Sequence, residues 1–293
     1  MRFSNVIFEP ILNSHYIESI ELSFLEKTGV VGRGGYYSKA GVIRDVIQNH
    51  ILTVLSLIGL ECPASLSAED VRNESVKFLR AVQSLSISDV ITGQYVSNGS
   101  HPGFLDDPSI PSDCNVPTYC AAILSCNNRR WEGVPIIVRA GKGLDKNAGY
   151  IKIKFKRPPG FASLFAHKPT TPGTTCENSL LLSIQPESGL ELTLTGKNPG
   201  YETVLSQLNL NMFYRNIGVE KMPDAYESVL LSMMCFDQSL FLRHDQIQEC
   251  WRIVDDLLPV LDDNPQHFDY AFGSRGPIEA DEFIGRIGLR WAV

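Results

Sequence analysis

Hydrophobic residues recur along the chain at two spacings, which predict strands and helices in different regions. From Tyr16 to Leu25, apolar and polar residues alternate, and a period of two predicts a half-buried strand. From about Ala40 to Leu60, apolar residues instead follow the period of an amphipathic helix, which should end at Cys62-Pro63. The chain is therefore expected to start with a strand followed by a long helix.

The same patterns continue through the rest of the chain. Ser67 is expected to cap a second helix that runs to Arg80. Strand-like segments follow at Tyr119 to Cys126, Val134 to Arg139, Tyr150 to Phe155, Leu180 to Gln185 and Leu190 to Thr195, and helical patterns return at Asp224 to Cys235 and Asp245 to Leu258. Near-consecutive strands between helices favour an α+β fold with a large, mostly antiparallel sheet and helices packed on one face. Regular βαβ alternation, as in a doubly wound nucleotide-binding fold, is not predicted.

Composition narrows the classes of function. The chain has 293 residues and a formal net charge of -7, so a nucleic-acid backbone is not an expected partner. Apolar runs fall short of the roughly 18 residues that indicate a membrane span, the nearest being His50 to Leu60, so no membrane is expected. Met1 leads directly into structured sequence, and neither a signal peptide nor a transit segment is expected within the chain.

Cysteine spacing argues against metal and disulfide frameworks. The seven cysteines form no C-x-x-C pair, and an odd number favours reduced thiols. Cys114, Cys120 and Cys126 recur every six residues, which could suggest ligands. Because Cys120 and Cys126 share a parity in a predicted strand, buried small side chains are the preferred interpretation, and no metal site is predicted.

Three polar motifs are candidates for chemistry. The turn Gly32-Arg33-Gly34-Gly35 has the wrong spacing for a dinucleotide loop, and a tight turn is the preferred interpretation. Asp45 and His50 lie on an otherwise apolar helix, roughly 140° apart at ~100° per residue, so they should not share a face. They either flank a cleft at the end of the helix or belong to a hydrogen-bonded polar stripe. Lys142 follows a strand, where it could meet an anion or remain a solvated turn residue.

These motifs also belong to a longer, ordered series. Together they resemble the region that follows the Rossmann domain in glucose-6-phosphate dehydrogenases, so the whole of residues 1–293 resembles the C-terminal, substrate-binding and dimerisation domain of that family. The matching segments are Phe8 to Ile11, Gly32 to Tyr37, Ile43 to His50, Val71 to Lys77, Gly93 to Tyr95, Arg130 to Pro135, Gly141-Lys142, Gln185-Pro186, Pro223 to Glu227, Gly273 to Pro277 and Ala280-Asp281.

The resemblance implies roles for five residues. His50 would be the general base that takes the C1 hydroxyl proton of glucose 6-phosphate, while the hydride leaves for NADP. An imidazole suits this task because it can accept a proton near neutral pH. Glu26, Asp45, Lys142 and Gln185 would bind the sugar through carboxylate, ammonium and amide groups.

The sequence also departs from the family pattern at positions that bear on substrate and nucleotide binding. The Rossmann domain and the R-I-D-H-Y-L-G-K-E segment, which supply the nucleotide site and part of the phosphate site, are not found in this sequence. Asn147 stands where active members have a substrate arginine. In the family's second, structural NADP site, Arg139 and Arg275 remain as remnants, whereas charged positions are replaced by Ala148, Ser183 and Thr193.

The resemblance is strongest to plant plastid-type members, including a divergent branch thought to be inactive. Two hypotheses follow. In the first, the chain is part of a glucose-6-phosphate dehydrogenase and is inactive in isolation. In the second, it is a non-catalytic dimerisation or regulatory partner of active relatives. A homodimer or a heterodimer with related subunits is expected, in plastid or cytoplasm.

Overall fold

One large sheet forms the centre of the chain in a computed structural model, which describes residues 2–30, 32–172, 174–217, 225–263 and 267–292. Its described strands lie in the order β8-β7-β6-β5-β1-β4-β3-β2-β9. The bounds are β1 Ile17–Leu25, β2 Val90–Val96, β3 Tyr119–Leu124, β4 Ile136–Gly141, β5 Ala148–Phe155, β6 Ser179–Gln185, β7 Gly189–Lys197, β8 Leu205–Phe213 and β9 His267–Ala271. Only β1–β4 and β2–β9 pair in parallel, so the predicted mostly antiparallel α+β sheet is confirmed.

The helices begin and end at signals that the sequence carries. Ser67 accepts a hydrogen bond from Asp70 N at 3.2 Å and so caps the third α-helix as predicted. A first helical segment begins at Gly34 and is interrupted at Gly41 by a φ of 62°. The long helix predicted from about Ala40 continues beyond this break, and its residues Ile43–Ile51 are π-helical. The bounds are α1 Gly34–Val42, a π-helical segment Ile43–Ile51, α2 Leu52–Gly59, α3 Ala68–Ala81, α4 Phe161–Phe165, α5 Ala225–Met234, α6 His244–Asp255, α7 Leu257–Asp263 and α8 Glu279–Gly285. Pro223 and Asp224, which belong to the resemblance, lie outside the described residues.

The central strands have an apolar face that packs against the long helix. Ile20 pairs with Ile136 on one side and Ile153 on the other, so apolar side chains continue across three strands on one face. The π-helical segment packs against β1 and β4, and its buried Ile47 and Ile51 belong to the same core. This contact fixes the long helix beside the strand ends that carry the candidate site.

Residues Gly34–Gly59 form a helical stretch, interrupted by non-helical dihedral angles at Gly41, that is long and apolar enough to cross a membrane by length and composition, with a mean hydropathy of 1.2 in its most apolar window. This differs from the sequence-based expectation that no such stretch exists. Because 56% of its most apolar window is buried inside the protein and it packs against β1 and β4, the stretch fits a core helix.

The cysteines are free thiols, and several of them fill the core. Cys120 lies in β3 and is buried, and burial raises the pKa of its thiol to about 12. Cys126 follows the same strand, and burial raises the pKa of its thiol to about 11. Among the described residues, no group of three or more His, Cys, Asp or Glu could hold a metal ion.

The outer strands differ from the centre because their apolar face is uncovered. Leu192 of β7 pairs with Leu210 of β8, which continues the apolar face outward from β5. Leu208, Leu210 and Met212 are nevertheless 47%, 58% and 42% exposed. We call this surface, formed by Leu190, Leu192, Leu208, Leu210 and Met212, the outer apolar face.

Candidate functional site

The candidate site lies at one edge of the sheet, where two parallel strands end. Glu26 follows β1 and Lys142 follows β4, and because β1 and β4 pair in parallel, both residues emerge at the same edge. Lys142 Nζ lies 2.8 Å from each carboxylate oxygen of Glu26. Backbone hydrogen bonds from Glu26 N to Gly141 O and from Leu144 N to Glu26 O, both 2.9 Å, hold the two strand ends together. The structure thus brings two of the predicted sugar-binding residues into direct contact.

Tyr37 lies beneath this ion pair and was not singled out from the sequence. Lys142 Nζ lies 5.4 Å from the centroid of the Tyr37 ring, a cation–π distance. Tyr37 is 2% exposed, and its hydroxyl has no hydrogen-bond partner among the described residues. Burial raises the pKa of Tyr37 well above its ordinary value, so the hydroxyl stays neutral. Tyr37 follows the glycine turn and precedes the apolar positions of the long helix. This placement was the signal in the sequence that could have indicated a buried residue at the site.

The glycine turn before α1 places this tyrosine. Gly32 adopts a φ of +77°, as the tight-turn interpretation expects. A Cβ on Gly34 would lie 2.2 Å from Ser109 Oγ, so only glycine allows the first turn of α1 to approach the long loop between β2 and β3 so closely. The glycines therefore serve chain geometry at this site.

The π-helical segment changes the predicted relation between Asp45 and His50. A π-helix joins residue i to residue i+5, so two residues five apart lie close to the same side of the helix. The expectation of opposite faces assumed α-helical geometry and is wrong for this segment. Asp45 is half-buried and accepts a hydrogen bond from Tyr36 Oη at 3.2 Å, whereas His50 is exposed. The negative charge of Asp45 raises the pKa of Tyr36, with burial adding to the effect.

Gln185 reaches the same sheet edge from the other side of β1. It ends β6 and pairs with Gly149 near the start of β5, which itself lies opposite the end of β1. Gln185 is exposed and precedes Pro186 through a cis peptide bond. The edge therefore carries Glu26, Lys142 and Gln185 at the ends of β1, β4 and β6, with β5 between β1 and β6.

Asn147, which the sequence resemblance matched to a substrate arginine, anchors the backbone at this edge. Its Oδ1 accepts a 2.7 Å hydrogen bond from Lys27 N, one residue beyond Glu26. The side chain thus ties the connection between β4 and β5 to the end of β1. It adds no charge for an anionic substrate.

Arg139 and its neighbours form a separate polar cluster within the sheet. Arg139 donates to Ser23 Oγ at 3.0 Å and to Tyr150 Oη at 2.9 Å, and lies 3.6 Å from Glu21 Oε1. Tyr150 donates to the same Glu21 oxygen at 2.6 Å. Burial, with the Glu21 charge adding to it, raises the pKa of Tyr150 to about 12. We call Glu21, Ser23, Arg139 and Tyr150 the buried polar cluster.

The C-terminal segment closes this cluster. The Trp291 ring lies 4.6 Å from the Arg139 guanidinium, and Ala292 N donates to Glu21 Oε2 at 2.8 Å. Arg275, the other predicted nucleotide-site remnant, is exposed. Burial lowers the pKa of Lys146, and repulsion by Arg139 and Arg275 lowers it further, which places Lys146 in the field of both arginines. Arg139 is therefore compensated internally by Glu21, whereas Arg275 faces solvent.

The family comparison agrees with the fold. The family model described as glucose-6-phosphate dehydrogenase, C-terminal domain, matches residues 1–292. The fold is thus that of a dehydrogenase C-terminal domain. The chain belongs to the C-terminal domain family of the glucose-6-phosphate dehydrogenases, which confirms the predicted resemblance.

Curated relatives and solved structures support the same family assignment. The chain is 41% identical to glucose-6-phosphate 1-dehydrogenase of Dictyostelium discoideum, with 99% of the chain and 59% of the relative covered. It is 38% identical to the chloroplastic glucose-6-phosphate 1-dehydrogenase 1 of Arabidopsis thaliana, with 99% and 51% covered. A solved glucose-6-phosphate dehydrogenase in complex with glucose 6-phosphate has a TM-score of 0.89 at 34% identity, covering 100% of the chain and 60% of that protein. A crystal structure of glucose-6-phosphate 1-dehydrogenase from Mycobacterium avium has a TM-score of 0.83 at 30% identity, covering 100% of the chain and 60% of that protein.

The chain therefore spans about half to three fifths of the length of the curated relatives it matches. Plant chloroplastic proteins are among these relatives, as the resemblance predicted.

Proposed function

We propose that the chain is the sugar-binding and proton-accepting half of a glucose-6-phosphate dehydrogenase. The observation that carries the proposal is the Glu26–Lys142 pair, which lies at the carboxyl ends of parallel strands and beside the long helix that carries Asp45 and His50. The substrate class is supported by the solved relative, whose description names glucose 6-phosphate as its bound substrate.

The geometry suggests how a sugar would enter. Without substrate, Lys142 and Glu26 neutralise each other, so a sugar hydroxyl or phosphate must compete for contacts that the pair already makes. Lys142 is 13% exposed and Glu26 is 38% exposed, so Glu26 is the partner that is freer to turn. Lys142 would then hold the anionic or ring oxygens, while Glu26, Asp45 and Gln185 accept or donate hydrogen bonds to hydroxyls.

His50 is proposed as the base for the C1 hydroxyl. Its π-helical position brings it towards the same side of the helix as Asp45, so a sugar held by Asp45 could present a hydroxyl to the imidazole. NADP would accept the hydride, as the family assignment implies.

We propose that the described residues alone do not hold NADP. The Gly32–Gly35 turn serves chain geometry, and Arg139, a remnant of the second nucleotide site, lies within an internal ion pair. We therefore propose that Arg139 and Arg275 no longer hold a nucleotide, and that the isolated chain does not catalyse the reaction.

An activity assay tests this proposal. The purified chain, mixed with glucose 6-phosphate and NADP, should form no NADPH above the level of a His50→Ala control. NADPH formation that disappears in the His50→Ala variant would contradict the proposed inactivity and, at the same time, support His50 as the base.

The alternative function is a non-catalytic partner that pairs with a second copy or with a related subunit. The outer apolar face favours it, because contiguous exposed leucine and methionine side chains on a sheet mark interaction surfaces. Light scattering should show a dimer for the chain and a monomer for Leu210→Lys, whereas Leu66→Lys, in an exposed loop position, should remain dimeric. A monomeric wild-type chain would contradict this function.

For the compartment we propose plastid or cytoplasm. The chloroplastic names of the plant relatives support the first. Fluorescence microscopy of the full-length gene product fused to a reporter would decide between them, and a nuclear or secreted signal would contradict both.

A further inference from the structure

A second concave site lies at the opposite edge of the sheet from the Glu26–Lys142 pair. It is a cavity of about 430 Å³, within the size range of small-molecule pockets. Phe155, at the end of β5, and Leu205, at the start of β8, contribute to its wall. Since β5 runs antiparallel to β1, its eight residues separate the two edges by about 23 Å. We call this space the β5–β7 cavity.

The described charged residues that line the cavity are all positive. Lys156, Arg157 and Lys197 line it, and no carboxylate is among the described lining residues. Lys156 Nζ donates to Ser14 O at 2.7 Å, and Lys197 Nζ donates to Gly200 O at 2.6 Å. Backbone carbonyls satisfy these donors without cancelling their charge. The described lining residues therefore present positive charge to an anion.

The base of the cavity is aromatic. The rings of Phe161 and Phe165 in α4 lie 4.9 Å apart at an angle of 43°. Arg157 lies 5.9 Å from the Phe161 centroid, so a positive charge borders the aromatic surface. A ligand that places an apolar body on these rings can place its negative group beside the guanidinium.

Two further observations indicate that something binds here. Thr195 Oγ1 is buried in the cavity wall and has no hydrogen-bond partner within the described part of the chain. Such an orphaned buried hydroxyl costs free energy unless a ligand or water completes it. Cys176, also in the wall, adopts a φ of +54°, a strained conformation for a residue other than glycine. An unsatisfied hydroxyl and a strained residue in one small cavity are typical of a binding site.

We propose that the β5–β7 cavity binds a small aromatic monoanion. The anionic group lies against Lys156, Arg157 and Lys197, the ring packs on Phe161 and Phe165, and Thr195 donates its hydroxyl hydrogen bond to the ligand. This site is independent of sugar binding at the Glu26–Lys142 edge, so either proposal can fail without the other.

Titration calorimetry with naphthalene-2-carboxylate tests the proposal directly, using the full chain. We expect saturable binding with a dissociation constant below 1 mM, and at least tenfold weaker binding of the neutral naphthalene-2-carboxamide. Phe161→Ala should weaken binding at least tenfold, and Leu164→Ala, an exposed residue of the same helix outside the cavity, should leave it unchanged. Absence of saturation, or equal binding of the amide, would overturn the proposal.

The Thr195→Val variant separates ligand binding from folding. Valine keeps the shape and removes the orphaned hydroxyl, so the melting temperature should stay equal or rise while the ligand binds severalfold more weakly. Lys197→Gln should also weaken binding and Lys197→Arg should restore it. A lower melting temperature with unchanged affinity in Thr195→Val would contradict a ligand role for this hydroxyl.

Cys176 provides an internal probe in the unaltered protein. The ligand should slow alkylation of Cys176 by iodoacetamide, measured by peptide mass spectrometry, while the exposed Cys62 and Cys235 react at unchanged rates. An unchanged Cys176 rate at a saturating ligand concentration would exclude the cavity as the binding site.

Discussion

The central and outer parts of the sheet differ in how their surfaces are covered. All six residues of β4 are buried, because the long helix covers one face and the buried polar cluster with the C-terminal segment covers the other. In β8, by contrast, Leu208, Leu210 and Met212 remain exposed. Within the described residues, the centre of the sheet is thus covered, whereas the β8 side chains of the outer apolar face are left exposed.

This difference shows why alternation along a strand is an incomplete guide to burial. Within β8, polar and apolar residues alternate from Gln207 to Met212, which is the pattern of a half-buried strand. The sequence of β4 does not alternate, and it contains the charged Arg139. Yet β4 is buried throughout and β8 is largely exposed, because coverage depends on which other elements reach each strand.

Among the predictions for the centre of the sheet, substitution in the buried polar cluster should have the largest effect on the free energy of unfolding. Arg139→Leu leaves Glu21 buried without its cation, and breaking such a pair typically costs about 3–5 kcal/mol. Urea unfolding of the variant should show this loss in the free energy of unfolding. Arg80→Leu, which removes an exposed partner of Glu249, serves as the control and should cost at most about 1 kcal/mol. Equal losses in both variants would mean that the cluster is no more important than a surface ion pair.

A matched pair of leucine truncations compares the two regions directly. Leu22→Ala in β1 empties a fully buried position and should cost about 2–5 kcal/mol in the free energy of unfolding. Leu210→Ala on the outer apolar face should change the stability of the monomer by less than about 0.5 kcal/mol. Denaturant titration at low protein concentration measures both. Similar values for the two variants would contradict the proposed difference in coverage.

Alkaline pH should lower the stability of the centre of the sheet, because it favours ionisation of the buried thiols. The folded pKa of Cys120 is about 12, above its ordinary value, so the folded chain holds this proton more tightly than the unfolded chain. Its stabilising contribution is therefore complete below about pH 8.5, the ordinary pKa of a thiol, and is lost as pH rises towards the folded value. Between these limits, Cys120→Ala should remove about 1.4 kcal/mol per pH unit from the slope of stability against pH. Cys62→Ala, at an exposed thiol, should leave the slope unchanged, and a slope unaltered by Cys120→Ala would contradict the burial effect.

Much of the fold was predictable from local pattern, because strands and helices depend on period and capping. The strands at Tyr119 to Cys126 and Tyr150 to Phe155 and the capped helix from Ser67 were predicted within a few residues. The strand His267–Ala271 and the final helix Glu279–Gly285 were not, since both are short and carry weak periodicity.

The site was harder to predict, because its geometry depends on contacts between distant segments. The family resemblance indicated Glu26 and Lys142, but the parallel pairing that joins them across 116 residues is a property of the sheet. The π-helical turn between Asp45 and His50 has no signature in the 3.6-residue period, so their relation was predicted wrongly. Similarly, the compensation of Arg139 required Glu21 and Tyr150 from two other strands.

The dissociation constant of glucose 6-phosphate, compared between the wild-type chain and Asn147→Arg by titration calorimetry, tests the central claim most directly. In the proposed function, the edge near Glu26 and Lys142 is a sugar-phosphate site that binds weakly because Asn147 supplies no cation. A charged hydrogen bond contributes about 1.5–3 kcal/mol, so the restored arginine should tighten binding at least tenfold. The control Asn211→Arg, which adds the same charge on exposed β8, should not. An unchanged dissociation constant in Asn147→Arg, or binding by neither protein, would contradict the account.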